Sequence, residues 1–315
     1  MHGRGECEVK MAGSNGAVAS IAAFCHDAAM RGWHERNGGN VSVWLGAAEA
    51  EAAADEFARM GEGACVGGAV SGLRRFPLAW PIPELDGAFF LVTATGCFMR
   101  NVAGRPGESL GLIRIVEAGA SYEVVAGFSS GGRATSELAS HLLVHLERAR
   151  TRGAAGPEGL AGASVVYHAH TPSLIALSHV VAPETAHFTR ALWSTFTECP
   201  MFCPAGVGVV GFLIPGSLEL ARTTAELARH HDAIMWASHG VLVCSPSLDE
   251  AYGLVETLEK AADIALRTMA CGAASDPGST VACGAASGFG HGLGAEELVA
   301  LDEALGLGLD RSLLA

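Results

Sequence analysis

Lysine is nearly absent from this 315-residue chain, which carries only Lys10 and Lys260. Imine chemistry needs an amine nucleophile among the reacting groups, and neither lysine lies within the motifs described below. Basic residues number 20 against 33 acidic ones, for a formal net charge of −13, with no Lys/Arg cluster. That balance leaves no electrostatic footprint for nucleic acid or an anionic membrane, so a phosphorylated substrate would need locally arranged donors. Long apolar runs are also missing, because histidine, proline or charge interrupts each before membrane-spanning length. The opening Met1-His2-Gly3-Arg4-Gly5-Glu6 lacks the apolar core of a signal peptide, and the expectation is a cytoplasmic protein. The 9 cysteines include no C-x-x-C pair, which argues against a disulfide framework. Cys199 and Cys203 form the one close pair, thin evidence for zinc. There is no P-loop or dinucleotide fingerprint.

What is present is apolar content: 50% hydrophobic and 17% charged residues can build a sizeable core. Asn15 to Trp33 reads as a helix, with Val18, Ile21, Ala22, Cys25 and Ala29 near the helical period. Strands are expected at Phe89 to Thr95, Leu112 to Val116, Tyr122 to Ala126 and Val207 to Ile214, with a turn at Gly119. Thr135-Ser136-Glu137 opens a helix whose Leu138, Leu142 and Leu146 form one stripe, and Leu218 to His230 reads as another. Ser247-Leu248-Asp249-Glu250 has capping-box spacing ahead of a long apolar stripe, and Glu296 to Leu305 makes a short terminal helix. Residues 47–72 and 272–294 are expected to be variable insertions in a single domain spanning 1–315. Strands alternating with helices, joined in places by hairpins, predict an α/β layered domain with a mixed or mainly antiparallel central sheet flanked by helices.

The residues that carry chemistry cluster in a few places. Val165-Val166-Tyr167-His168-Ala169-His170 ends a strand-like run with imidazoles at i and i+2, which a strand points to one face. A second run, Ala233 to Ser238, closes at His239 before Gly240. Three convergent imidazoles make a catalytic zinc site with an open fourth position plausible, against the plainer reading of polar residues reaching solvent at strand ends. His26, His34, His141, His145, His179, His187, His230 and His231 show no such arrangement and read as surface or helix-face residues. Glu137 is the best general acid/base candidate, against an ordinary carboxylate at a helix N-terminus. Thr135 and Ser136 suit an anion or simple capping. Asn37-Gly38-Gly39-Asn40 and Thr93-Ala94-Thr95-Gly96 offer amide and hydroxyl donors, or plain turns.

Taken together and in order, Glu35-Arg36-Asn37-Gly38-Gly39-Asn40, Thr93-Ala94-Thr95-Gly96, Thr135-Ser136-Glu137-Leu138, His168-Ala169-His170, Thr197-Glu198-Cys199 and His239-Gly240 resemble the class II aldolase/adducin family. The likeness runs from about Trp33 to Gly272 and includes the Ser247 helix start and Glu259-Lys260. It implies Zn2+ held by His168, His170 and His239, a catalytic carboxylate at Glu137, and a second active-site carboxylate at Glu198. Phosphate contacts are implied at Asn37, Gly39, Asn40, Thr95, Gly96, Thr135 and Ser136. The implied reaction is reversible cleavage of a 1-phosphorylated ketose to dihydroxyacetone phosphate and an aldehyde. Zinc would act as the electron sink for the enediolate while Glu137 moves the proton. A homotetramer is also implied. Within the family, another sugar-phosphate aldolase or a pentulose-phosphate 4-epimerase would use related steps, and an adducin-like assembly domain would use none. The retained histidines and Glu137 disfavour that last reading. One departure is specific: Cys97 stands where the aldolase pattern has lysine after Thr95-Gly96.

Overall fold

A computed structural model describes residues 16–61, 73–151, 165–275 and 292–314. Its centre is a nine-stranded sheet in the order β2-β5-β4-β3-β1-β6-β9-β8-β7. The strands are β1 (Asn40–Leu45), β2 (Arg75–Pro77), β3 (Phe89–Thr93), β4 (Leu110–Val116), β5 (Ser121–Gly127), β6 (Val165–Ala169), β7 (Val207–Val210), β8 (Ala233–Trp236) and β9 (Gly240–Ser245). Every neighbouring pair is antiparallel except β7 with β8. The mixed, mainly antiparallel α/β expectation therefore holds, and Gly119 turns the chain between β4 and β5 with φ of 78°.

Alternation along the strands divides the apolar residues between two faces. On one face Val41, Val43, Tyr167, Ala169, Met235, Val241 and Val243 join a core with residues of α1 (Ala17–Met30), α2 (Ala47–Arg59), α5 (Pro172–Val180), α6 (Thr185–Trp193) and α9 (Leu248–Ser275). The other face lies under α4 (Leu138–Thr151) and α8 (Leu218–Leu227), where Leu138, Leu142 and Leu146 meet Trp44 and Phe90, and Val144 and Leu220 meet Val166, Ile234 and Trp236. The chain also forms α3 (Pro106–Ser109), α7 (Glu198–Phe202) and α10 (Ala295–Leu305).

Several local expectations shift. The stretch opening at Ala47 is a core helix, because Ala50, Ala53, Ala54 and Phe57 repeat at helical spacing and are buried. Glu49 accepts the Gly46 amide at 2.8 Å and starts it. Residues 62–72, the rest of that presumed insertion, lie outside the described residues, as do 276–291 of the second. Within the second, 272–275 continue α9. The helix expected from Thr135 begins at Leu138, and the strand expected to reach Ile214 stops at Val210. His239 does not end a strand. It sits in the tight turn from β8 to β9, with Ser238 at φ 62°. The capping expectation at Ser247 is met, since its hydroxyl accepts the Glu250 amide at 3.2 Å.

Candidate metal centre and active site

The site forms where β1, β6 and the β8–β9 turn meet. Pairing of β1 with β6 sets Asn40 opposite His168, and His170 follows two residues later on the same side. The β8–β9 turn delivers His239. The ligand nitrogens of the three histidines lie within 4.8 Å of one another, and Trp236 packs at 4.5 Å from the His168 ring centroid and stacks on His239 at 5.2 Å.

Hydrogen bonding fixes which nitrogens face inward. His168 Nδ1 lies 3.0 Å from the Val241 carbonyl, and His170 Nδ1 lies 2.7 Å from a Glu35 carboxylate oxygen. Both partners only accept, so each Nδ1 carries a proton and each ring turns its Nε2 inward. Those two Nε2 atoms stand 3.0 Å apart. Two lone pairs at that separation repel unless a cation lies between them, a proton in the bare protein or a metal ion in the loaded one. Burial and the neighbouring imidazoles hold His168 well below the usual imidazole range and His239 at about 4. The donor set therefore fits a divalent metal with ligand access on one side.

Glu137 faces this cluster. Its Oε2 is 3.7 Å from His168 Nε2 and its Oε1 is 3.7 Å from His239 Nε2. It is buried, and burial raises its carboxyl above the usual range, opposed by a hydrogen bond from Asn40 Nδ2 at 2.8 Å. Among the described residues no donor reaches Oε1. A carboxylate with one oxygen held and the other bare beside the histidine cluster suits proton transfer.

The expected phosphate residues fall into three adjoining loops. An isolated bridge pairs Ala94 with Ala134, and Thr95 donates its amide to the Arg133 carbonyl at 2.9 Å, so Thr95-Gly96 and Thr135-Ser136 lie together. Arg74 clamps that loop through the carbonyls of Gly132 and Phe128 at 2.8 and 2.9 Å, and Tyr122 accepts the Ala134 amide. Thr135 is partly spent, its hydroxyl accepting the Glu137 amide at 3.3 Å. Gly39, at φ 75°, passes so close to His34 that a Cβ would lie 2.2 Å from its ring and 2.8 Å from the His168 carbonyl. The Asn40 side chain, expected at phosphate, is buried and committed to Glu137. Cys97 is mostly buried, and burial pushes its thiol up to about 11, so it is neutral and supplies no anion charge. Glu198 stands exposed at the start of α7, accepting the Thr197 hydroxyl at 3.0 Å, with no bond to Glu137 or the histidines.

Sequence reasoning missed Glu35, the Val241 carbonyl and Trp236. His141 and His145 do lie on a helix face, but that face is wholly buried under β1 rather than at the surface. Their i, i+4 spacing beside the Leu138-Leu142 stripe was the available signal.

Comparison with known proteins agrees with this geometry. The family model described as Class II Aldolase and Adducin N-terminal domain matches residues 19–266. The chain belongs to the class II aldolase and adducin family. Within it, the chain is 38% identical over 242 residues to a rhamnulose-1-phosphate aldolase of Yersinia pseudotuberculosis, covering 77% of this chain and 81% of that protein. The structure of a sugar-phosphate aldolase from Thermotoga maritima superimposes with a TM-score of 0.62 at 28% identity, covering 81% and 95% of the two chains. An L-fuculose 1-phosphate aldolase shares the fold, with a TM-score of 0.51 at 17% identity over 92% of this chain and 95% of that one. This family member is a class II aldolase, a carbon–carbon lyase of a metal-dependent class. No helix among the described residues is long and apolar enough to cross a membrane.

Proposed function

We propose that this enzyme reversibly cleaves L-rhamnulose 1-phosphate to dihydroxyacetone phosphate and L-lactaldehyde, with Zn2+ held by His168, His170 and His239. The observation that carries the reading is the convergence of three Nε2-bearing rings on a carboxylate with one bare oxygen, in a chain 38% identical to rhamnulose-1-phosphate aldolases. Bound zinc supplies a Lewis acid for the ketone and hydroxyl oxygens of the ketose.

The residues divide the remaining work. Glu35 and the Val241 carbonyl orient the ligand rings by accepting their Nδ1 protons. Glu137 moves the proton at the carbon that becomes nucleophilic, through Oε1. The amides and hydroxyls of Asn37, Gly39, Thr95, Gly96, Thr135 and Ser136 take the phosphate, since uncharged donors can hold an anion where lysine is lacking. Asn40 contributes its backbone there and its side chain to Glu137. Glu198 completes a neighbouring subunit's site in a cytoplasmic homotetramer, which suits its exposure and the lack of a hydrogen bond to its own Glu137.

Incubation of the zinc-loaded protein with L-rhamnulose, L-fuculose and L-ribulose phosphates, with products identified by mass, tests the assignment. Lactaldehyde released fastest from rhamnulose 1-phosphate is the expected result. Release from fuculose 1-phosphate alone would reassign the substrate, and conversion of the ribulose phosphate to an isomer of equal mass, resolved by chromatography, would make the enzyme an epimerase. Glu137→Gln should keep its zinc yet lose proton exchange on dihydroxyacetone phosphate by roughly 10² to 10⁴. Wild-type exchange in that variant would assign the base elsewhere.

A further inference from the structure

Behind Glu137 runs a line of buried polar side chains that carbon–carbon cleavage does not itself require. Asn40 Nδ2 meets Glu137 Oε2 at 2.8 Å, and Asn40 Oδ1 meets His141 Nε2. His141 Nδ1 meets Ser42 Oγ at 2.7 Å, and Ser42 Oγ meets His145 Nε2 at 2.8 Å. Ser42, His141 and His145 are each 0% exposed. Their positions follow from two periods: Asn40 and Ser42 alternate onto one face of β1, and His141 and His145 lie one turn apart on α4, which covers that face. The His145 ring packs against Trp44 and Phe90 at 6.0 and 5.2 Å, so these polar groups are set into an apolar layer, where each would be costly without a partner.

The protons along this line have one consistent arrangement when Glu137 is ionised. A carboxylate only accepts, so Asn40 must present its NH2 group to Glu137 and its oxygen to His141. His141 must then carry its proton on Nε2. Burial drives both histidines well below the usual range, His141 to about 3, so each ring is neutral and His141 Nδ1 is a bare acceptor. Ser42 donates its hydroxyl to that nitrogen, and the Ser42 oxygen accepts the Nε2 proton of His145. Every donor points toward Glu137.

We propose that His141 and Ser42, backed by His145, are positioning residues for Glu137 that act through Asn40. An asparagine amide has nearly the same shape with its oxygen and nitrogen exchanged, and the exchanged form would set an oxygen against the carboxylate. His141 Nε2–H selects the productive orientation, Ser42 fixes the His141 tautomer, and the held Oε2 aims the bare Oε1 at the reacting carbon. The inference rests on Glu137 being the acid/base group.

The test uses the full-length zinc-loaded enzyme and follows deuterium exchange on dihydroxyacetone phosphate by NMR, with zinc content and KM measured in parallel. His141→Phe should lower the exchange kcat roughly 10- to 100-fold, the usual cost of losing a group that orients a reacting one, with zinc content and KM unchanged. His141→Gln, whose amide can still donate to Asn40 Oδ1, should recover most of that loss, and Ser42→Ala should fall between the two. In a Glu137→Gln background, His141→Phe should cause no further loss. Wild-type exchange in both His141→Phe and Ser42→Ala would overturn the proposal, as would a loss accompanied by zinc release or by a matching rise in KM. If His141→Phe does not fold, Ser42→Ala decides, and wild-type exchange in that variant overturns the proposal. Wild-type exchange in Glu137→Gln alone would instead reject Glu137 as the base, which separates that failure from failure of the positioning chain.

Discussion

Gly240 offers a sharp test of how tightly the histidine cluster is packed. It opens β9 directly after His239 and lies against the end of β6. A Cβ at this position would stand 2.4 Å from the Ala169 carbonyl oxygen, 2.9 Å from His168 Cε1 and 3.1 Å from His170 Cδ2. Ordinary contact begins at 3.4 Å, so the carbonyl must recede by 1.0 Å. Ala169 is paired in register with Val241, so that movement pulls β6 away from β9 and carries His168 with it. Overpacking of this kind costs roughly 1–3 kcal/mol. Displaced ligand rings should also weaken metal binding by about 10- to 100-fold. Gly253 is the internal control: it lies inside α9 with nothing within 4 Å of its added Cβ, and alanine there should stabilise by roughly 0.5–1 kcal/mol. Urea unfolding and metal retention through a chelator series would be measured for Gly240→Ala and Gly253→Ala. If Gly240→Ala unfolds at the parental urea concentration and keeps its metal equally well, the close approach of β9 to the ligand rings is not what shapes the cluster.

Local patterns made part of the fold legible. The Leu138-Leu142-Leu146 stripe, the Ser247 cap and the β4–β5 hairpin at Gly119 each carry their signal within a few residues. In α2 the inward residues are mostly alanine, and small side chains interleaved with acids give little contrast between buried and exposed faces. The run ending at His239 was harder to divide, because β8, a three-residue turn and β9 form one nearly continuous apolar stretch. The turn depends on Ser238 adopting φ 62°, a conformation that serine seldom marks in a sequence.

The pairing of His168 with His170 in the histidine cluster was legible because strand alternation relates them without knowledge of distant contacts. Their supports were not. Glu35 meets His170 across 135 residues and Asn40 meets Glu137 across 97, so each pairing exists only once the sheet order is set. Asn40 shows the limit clearly: its place in a Gly-Gly loop suggested an anion donor, whereas the β1–β6 register turns its side chain inward to the carboxylate.

Further outcomes follow from burial and placement. Metal-free protein should lose stability as pH falls from about 6.5 toward 3, because His141 and His145 stay neutral when folded but take up protons when unfolded; the slope is about 1.4 kcal/mol per pH unit for each. A flat stability profile over that interval, measured by urea titration, would contradict their buried, neutral state. Thr135→Ala with Ser136→Ala should weaken phosphorylated ketoses more than free sugars, and equal losses in KM for both would place the phosphate elsewhere. Glu198 gives the test of assembly. It is exposed and makes no bond to its own Glu137 or histidines, and the proposed role across a subunit boundary is open to a complementation experiment. Glu137→Gln and Glu198→Gln chains should each be inactive alone, yet a hybrid site that combines Glu137 from one chain with Glu198 from its neighbour regains both carboxylates. With random equal mixing in a cyclic assembly, about a quarter of sites are restored, whereas none are if Glu198 serves its own chain. Activity near that fraction in hybrids verified by native mass spectrometry would establish the shared site. Inactive hybrids would limit Glu198 to its own subunit, and a fully active Glu198→Gln homo-oligomer would remove it from catalysis.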